Sequence, residues 1–594
     1  MALGTREAPA PWTGESGQSR RRWLALAVLC VSLLIVNLDN TVLNVALPTL
    51  VRDLNATSSQ LQWIVDSYAL VFAGLLLVAG SLADRVGRKR TFMAGLIAFA
   101  SASAWAAFSG SVPMLIAARA SMGIGAALMM PSTLAIITDM FRDHHERQRA
   151  IGIWSGTSGL GIALGPIVGG LLLAHFWWGS VFLINVPIAL AGLLCALPLV
   201  PDSRNDAALR PDLAGGLLSI VGLGLVLWSI IEAPVHGWAS VQVVSAGIAG
   251  LVVLGAFAAW ERATSHPMLN LRFFLRKRFS AAISSVGLVM FGLLGSLFIL
   301  TQFLQFDLGY TALQAGIRVL PAAGMIAVIA PLSIVFVRAA GTKLTVAAGL
   351  LSIAVGLWQI SGASVTSTYL DTLAGVILLG VGAGLAIPAA TESVMGSLPR
   401  SDTGVGSATN GVFMQVGAAL GVAVIGSLLA TRYRDAMKAG LAPFRVPHVT
   451  DSTILGSIGG AQGVAAHLGG AAGALLGQLA RAAFISGMDL GLRTGAAAAL
   501  AGCALALAAL PARPPADPVP AAPPAGGGTL PRADAPGGRP ARDHGPGAPA
   551  AGDPGPGAPA AGDPGPGAPA AGDSGPRSAP AASSDTRGRP WRQA

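Results

Sequence analysis

Fourteen stretches of mostly apolar residues recur along this 594-residue chain, at approximately 23–46, 61–82, 91–109, 112–138, 150–173, 181–200, 212–231, 241–260, 279–304, 313–337, 343–361, 369–390, 404–431 and 489–510. Crossing a bilayer as a helix takes about 20 such residues. Of the whole sequence 53% is hydrophobic and 11% charged, where soluble domains carry about 25% charged residues. A core that apolar is stable only if lipid covers it. The expected fold class is therefore an all-α polytopic membrane protein with fourteen transmembrane helices.

The net charge of +10 does not point to nucleic acid, because the basic residues cluster at the ends of apolar runs and not on one soluble face. Cys30, Cys195 and Cys503 all fall inside expected spans. They form neither a disulfide framework nor a zinc spacing. The histidines show no metal-ligand spacing, so no metal is expected. The basic Arg20, Arg21 and Arg22 precede a first apolar run that is too long for a cleaved signal peptide, so it is expected to be retained as span 1.

Orientation follows from the loops. Those after spans 2, 4 and 8 carry Arg85, Arg88, Lys89, Arg90, Arg142, Arg147, Arg149, Arg262, Arg272, Arg276, Lys277 and Arg278, whereas those after spans 1, 3, 5, 7 and 9 carry only Arg52. Cytoplasmic loops hold the excess of Lys and Arg, so both termini are expected in the cytoplasm, with Arg432 and Arg434 as exceptions beside a long external loop. That loop, 433–488, is rich in Ala and Gly, with a helix expected around 460–484. Residues 511–594 include the repeat GPGAPAAGDP, a composition that cannot build a core and predicts a disordered cytoplasmic tail.

Three charges, Asp39, Asp66 and Arg119, interrupt the first six apolar runs. With a rise of about 1.5 Å per residue, Asp39 lies about 24 Å into span 1 from the inside, and Asp66 and Arg119 lie about 8 and 10 Å down spans 2 and 4 from the outside. The three reach similar depth and can neutralise one another, which is how such groups survive in lipid. An acid beside a fixed arginine is drawn toward its ionised form, and burial draws it back. Such a group can load and release protons as access changes; a static ion pair is the alternative.

Two segments carry further pattern. GSLADRVGRKR, from Gly80 to Arg90, places Gly80, Asp84, Arg85, Gly87 and Arg88 at the inner end of span 2. Such a charge cluster can hold two helices together in one state and release them in another. GLGIALGPIVGG, 159–170, repeats Gly161, Gly165 and Gly169 at four-residue intervals, with Pro166 and Gly170 beside them. A smooth glycine face suits close helix contact, and proline can bend the helix, so this stretch suggests a tight seam between two halves. Glycine packing of this kind is also common by itself.

Together these stretches resemble the major facilitator superfamily, in its fourteen-helix drug:proton antiporter branch. LDNTVLNVALP around Asp39, GSLADRVGRKR, LIAARASMGIGAALMMP around Arg119, GLGIALGPIVGG and FLINVP (182–187) match that branch's signatures in order, and the resemblance covers about residues 23–510. Ser121 and Met122 stand where a glutamine before the glycine is common, and WWGSVF lacks an arginine often seen there. The resemblance implies the major facilitator fold and alternating access. Residues 1–22 would be a cytoplasmic segment, 23–200 one six-helix bundle, 212–262 two inserted helices and 279–510 a second six-helix bundle. It assigns Asp39 and Arg119 to proton coupling, the 80–90 loop to gating, and the 159–170 stretch to the seam, while Asp66 joins the proton-coupling candidates from its depth.

The activity so implied is proton-coupled efflux of a lipophilic drug, antibiotic or related metabolite across the cell membrane. The proton gradient supplies the energy, with no cofactor, no enzymatic chemistry and no nucleic-acid partner, and a monomer is expected. Trp63, Trp154, Phe298, Gln302, Phe413 and Gln415 are candidate lining residues of a mostly apolar cavity. The alternatives are a narrow metabolite exporter, a proton symporter on the same fold, and a receptor that no longer transports.

Overall fold

The computed structural model describes residues 15–204, 211–264, 267–398, 403–442 and 448–511. The expected tail, beyond Pro511, and the first fourteen residues lie outside the described residues. Among the described residues there are sixteen α-helices and no strand. They are α1 (Glu15–Leu54), α2 (Ser58–Val86), α3 (Arg88–Ala107), α4 (Val112–Met140), α5 (His144–His175), α6 (Ser180–Leu183), α7 (Asn185–Leu199), α8 (Leu213–His236), α9 (Val241–Ala263), α10 (Lys277–Gln302), α11 (Ala312–Ser361), α12 (Tyr369–Met395), α13 (Thr403–Leu441), α14 (His448–Gly456), α15 (Ile458–Leu468) and α16 (Gly470–Ala509).

The starts of these helices are written in short polar signals. Thr57 with Gln60 and Thr311 with Gln314 form reciprocal capping boxes at α2 and α11, satisfying backbone donors that a helix start leaves free. Within α11, Gly341 has φ +83°, which breaks the element into two helices end to end. Glycine takes that left-handed conformation without steric cost. The break falls between the expected spans 313–337 and 343–361. Eleven helices are long and apolar enough to cross a membrane, with the broken α11 counted once.

The region 433–488 is more helical than expected. Among its described residues the helix expected around 460–484 is present as α15 and the start of α16, and beyond expectation α13 runs on to Leu441 and α14 follows. The physical reason is its alanine content, since Ala is the best helix former. Ser457 caps α15, and Gly469, at φ +59°, ends it.

Packing sorts the helices. α1 lies along α5 and α7, α4 packs on α2 and α3, and α3 also meets α7. Further along, α10 packs on α12, α13 and α16, and α11 on α12 and α16. The pair α8 and α9 lie together, with α8 touching both α2 and α13. The early and late helices meet along α2–α13 and α5–α11.

Contact across that division is tight at the end away from the arginine-rich loops. Gln305 Nε2 donates to Val45 O at 3.0 Å, and Arg52 lies over the Phe306 ring at 5.5 Å. Gln462 of α15 donates to Phe306 O at 2.7 Å, and Gly459 abuts both Val51 and Phe306. At the basic end, a side chain placed on Gly152 or Gly156 of α5, or on Gly324 of α11, would meet nothing within 4 Å. Ile153, Val328 and Leu332 are exposed there. The two helices touch through Pro166 and Gly316 and through Gly170 and Leu313.

Candidate functional site

Asp39, midway along α1, is 1% exposed, and Arg119 of α4 is 0% exposed. Arg119 donates through Nη1 to Asp39 Oδ2. Its Nε donates to Ile64 O of α2 at 3.2 Å, and its guanidinium lies over the Tyr68 ring at 4.5 Å and the Phe182 ring at 5.8 Å. The second carboxylate oxygen, Oδ1, accepts from Asn185 Nδ2 at 3.1 Å, and Ser103 Oγ lies 3.5 Å from the same nitrogen. Six helices thus contribute to one buried ion pair and its surroundings.

Glycines in α4 make the convergence possible. A methyl group on Gly123 would meet the Tyr68 and Phe72 backbone, and one on Gly125 would meet Phe99. With hydrogen in place of a side chain, α4 approaches α2 and α3 closely and carries Arg119 inward one turn earlier. A buried ion pair holds only when its remaining hydrogen-bonding capacity is met. Ile64 O and Asn185 meet part of it here, and the aromatic faces add cation–π attraction.

Asp66 does not join this pair, which corrects the expectation of a three-charge cluster. It is fully buried in α2, and neither carboxylate oxygen has a hydrogen-bond partner among the described residues. Similar depth did not bring it to Arg119, because the direction a residue faces around its helix matters as well. One turn away, Gln62 accepts from Ser427 Oγ of α13 at 3.0 Å, a fully buried bond between the early and late helices.

The 80–90 loop is built around Arg88. Its Nε donates to Asp84 Oδ1 at 2.8 Å, and its Nη1 donates to Asp139 at the end of α4. Burial works against the charge on Arg88, but the bonds to Asp84 and Asp139 outweigh it and raise its proton affinity. The guanidinium stays charged and ties α2, α3 and α4 together. Gly87 makes the turn at φ +121°, Gly80 sits against Pro131 of α4, and Arg85 is exposed. Lys89 Nζ donates to Leu197 O at 2.7 Å, and Arg90 pairs with Asp202 at 3.8 Å.

The glycine stretch of α5 divides its work differently from expectation. Gly161, Gly165 and Gly169 face α1, where added side chains would strike Asn37, Thr41 and Val42. That packing lies within the early helices. Contact with the late helices is made by the other two residues, Pro166 against Gly316 and Gly170 against Leu313.

The six candidate lining residues do not gather in one place. Trp63 donates through Nε1 to Glu232 of α8 at 3.3 Å, facing the α8–α9 pair, and Trp154 donates to Thr133 Oγ1 at 3.2 Å. Phe298 and Gln302 are buried, with Gln302 bonded to Phe298 O. Phe413 lies against the Phe274 ring at 5.7 Å, and Gln415 is half-buried on α13. Sequence reasoning missed Asn185 as a site residue, although FLINVP had been noticed. The available signal was a lone amide opening an otherwise apolar run.

The sequence model of the Major Facilitator Superfamily matches residues 29–422. The chain belongs to the major facilitator superfamily. It is 38% identical over 472 residues to the multidrug efflux pump LfrA of Mycolicibacterium smegmatis, covering 79% of this chain and 92% of that protein. It is 33% identical over 518 residues to the tetracenomycin C resistance and export protein of Streptomyces glaucescens, covering 85% and 95%. A solved bacterial homologue of the human lysosomal transporter Spinster, inward-facing and unoccupied, matches with a TM-score of 0.56 at 18% identity, over 83% of this chain and 98% of that one. The fold is thus that of the superfamily, and the protein is a membrane transporter, not an enzyme.

Proposed function

We propose that this transporter exports lipophilic drugs, antibiotics or related metabolites in exchange for protons. The observation that carries the reading is the buried Asp39–Arg119 pair. An ion pair inside a membrane helix bundle is costly and is retained for handling ions or protons. Relatives named for drug efflux and for antibiotic resistance and export support the cargo class.

In this reading fourteen helices cross the cell membrane, with both termini cytoplasmic. Residues 23–200 and 279–510 form the two six-helix bundles, and α8 and α9 are the inserted pair. Tight contact between the early and late helices at the end away from the arginine-rich loops supports reading this as a state open to the cytoplasm. Drug enters from that side. The bundles rock, a proton entering from outside reaches Asp39 and weakens its pair with Arg119, and the drug leaves outside. Return to the starting state delivers the proton to the cytoplasm. Asp66, buried without a partner, is the second acid able to take part, and the Arg88 cluster holds the cytoplasmic ends of α2 and α4 in this state. The protein works as a monomer.

The test is proton movement in inside-out vesicles with an acid lumen. Adding a transported drug should release lumenal protons, and Asp39→Asn, present at the same level, should release none. Undiminished coupled release from that variant removes Asp39 from the mechanism. A chain silent to every drug in a broad panel would be a narrow exporter of a metabolite made by its own cell.

A further inference from the structure

Asn185 is fully buried at the junction of α6 and α7, where an unmet polar atom is expensive. Its amide nitrogen donates to Asp39 Oδ1 at 3.1 Å, yet its own Oδ1 has no partner among the described residues. A side-chain amide carries donors at one end and an acceptor at the other. As the side chain stands, it serves an ionised carboxylate. Turned over, the idle oxygen would accept the hydroxyl of a protonated one. Arg119, with donors only, can bond the carbonyl oxygen of either form but cannot accept the hydroxyl of the protonated one.

We propose that Asn185 is a positioning residue for Asp39, an amide that turns over as the acid gains and loses its proton so that neither form is left unpaired. The inference rests on the reading of Asp39 as the proton-bearing acid and extends it to a residue outside the ion pair. The charged and titratable groups facing Asp39 are Arg119 from α4 and Tyr68 from α2. The parts of α5 and α10 between 150–170 and 279–302 contain no ionisable side chain. In α7 the one such group, Cys195, is exposed. Arg318 of α11 is stacked on Tyr310 at 3.6 Å, and His467 of α15 is bonded within its own helix to Gly463 O. Asn185 is therefore the neutral group placed to respond to the state of Asp39.

The experiment measures drug-evoked proton release in inside-out vesicles across pH for the native chain, Asn185→Ala, Asn185→Ser and Asp39→Asn, each matched for membrane level. Asn185→Ala should move the midpoint of the pH profile by up to about one unit toward alkaline pH, since both forms lose a bond but the charge-assisted one to the ionised acid is the stronger. Asn185→Ser keeps a donor and an acceptor and should recover part of the shift. A merely structural role would lower the amplitude in both variants without moving the midpoint. An unmoved midpoint in Asn185→Ala, with release abolished in Asp39→Asn, overturns this inference alone. Release retained in Asp39→Asn overturns the underlying reading instead. If Asn185→Ala fails to reach the membrane, infrared difference spectra of the native protein decide. An asparagine amide band should titrate together with the Asp39 carboxyl band and both should vanish in Asp39→Asn. A carboxyl band that titrates with no amide change overturns the proposal.

Discussion

Pro166 and Gly316 touch backbone to backbone, the Pro166 carbonyl oxygen occupying the space where a side chain on residue 316 would begin. This is the closest approach between α5 and α11, and it involves no charge. Replacing Gly316 with Leu should force the two helices apart and lower drug efflux by tenfold or more at unchanged membrane level. Efflux from cells normalised to protein content checks this; native rates in Gly316→Leu would mean the contact is incidental.

Gly170 and Leu313 offer the complementary test. In a background lacking Cys30, Cys195 and Cys503, the pair Gly170→Cys and Leu313→Cys should cross-link under mild oxidant, because the Leu313 backbone lies in the space beside Gly170. Transport should stop on cross-linking and resume with reductant. Full transport by the cross-linked protein would show that these helices do not part during the cycle.

Asp39 and Arg119 should separate stability from function. Asp39→Asn leaves a buried arginine uncompensated, a loss of about 3–5 kcal/mol. Adding Arg119→Gln removes the stranded charge and should recover most of the melting temperature in detergent, while coupled transport stays absent. Recovery of transport in the double variant would contradict the assignment of proton coupling to the pair.

Asp66 should behave in the opposite way. Its carboxylate has no partner to lose, so Asp66→Asn should leave the melting temperature within a few degrees of native or raise it. Any effect should fall on proton coupling, read as the ratio of protons released to drug taken up. A sharp loss of stability would reveal a partner that forms in the folded protein in solution.

Arg88 bridges Asp84 and Asp139, so Arg88→Ala and Asp139→Asn should each slow efflux several-fold while drug binding, measured by tryptophan quenching, changes little. The double variant should be no worse than the poorer single one, since both remove the same bridge. Independent, multiplying losses would assign the two residues to separate tasks.

The helices were legible because apolar runs of membrane length admit few other structures, and the Asp39–Arg119 pair was legible because depth follows from residue count. Direction around the helix axis was not. That is why Asp66 was grouped with a partner it does not meet, and why the glycines of α5 were assigned to the boundary when they face α1. Distinguishing Gly165 from Gly170 requires knowing which neighbours flank α5, and this depends on contacts far apart in sequence. The helix around 460–484 was legible in its alanine-rich stretch, but the run of α13 on to Leu441 was not, because alanine and glycine mixed with charged residues give a low-contrast pattern in which helix propensity is easily mistaken for loop.

The placement of α8 gives the molecule two unlike flanks. On one flank α8 rests on both α2 and α13, so separation of those two helices there leaves a third still covering the gap. On the other flank α5 and α11 meet directly, through Pro166 and Gly316 and through Gly170 and Leu313. The first flank therefore shares any strain with a third helix, whereas the second passes it straight from the early helices to the late ones.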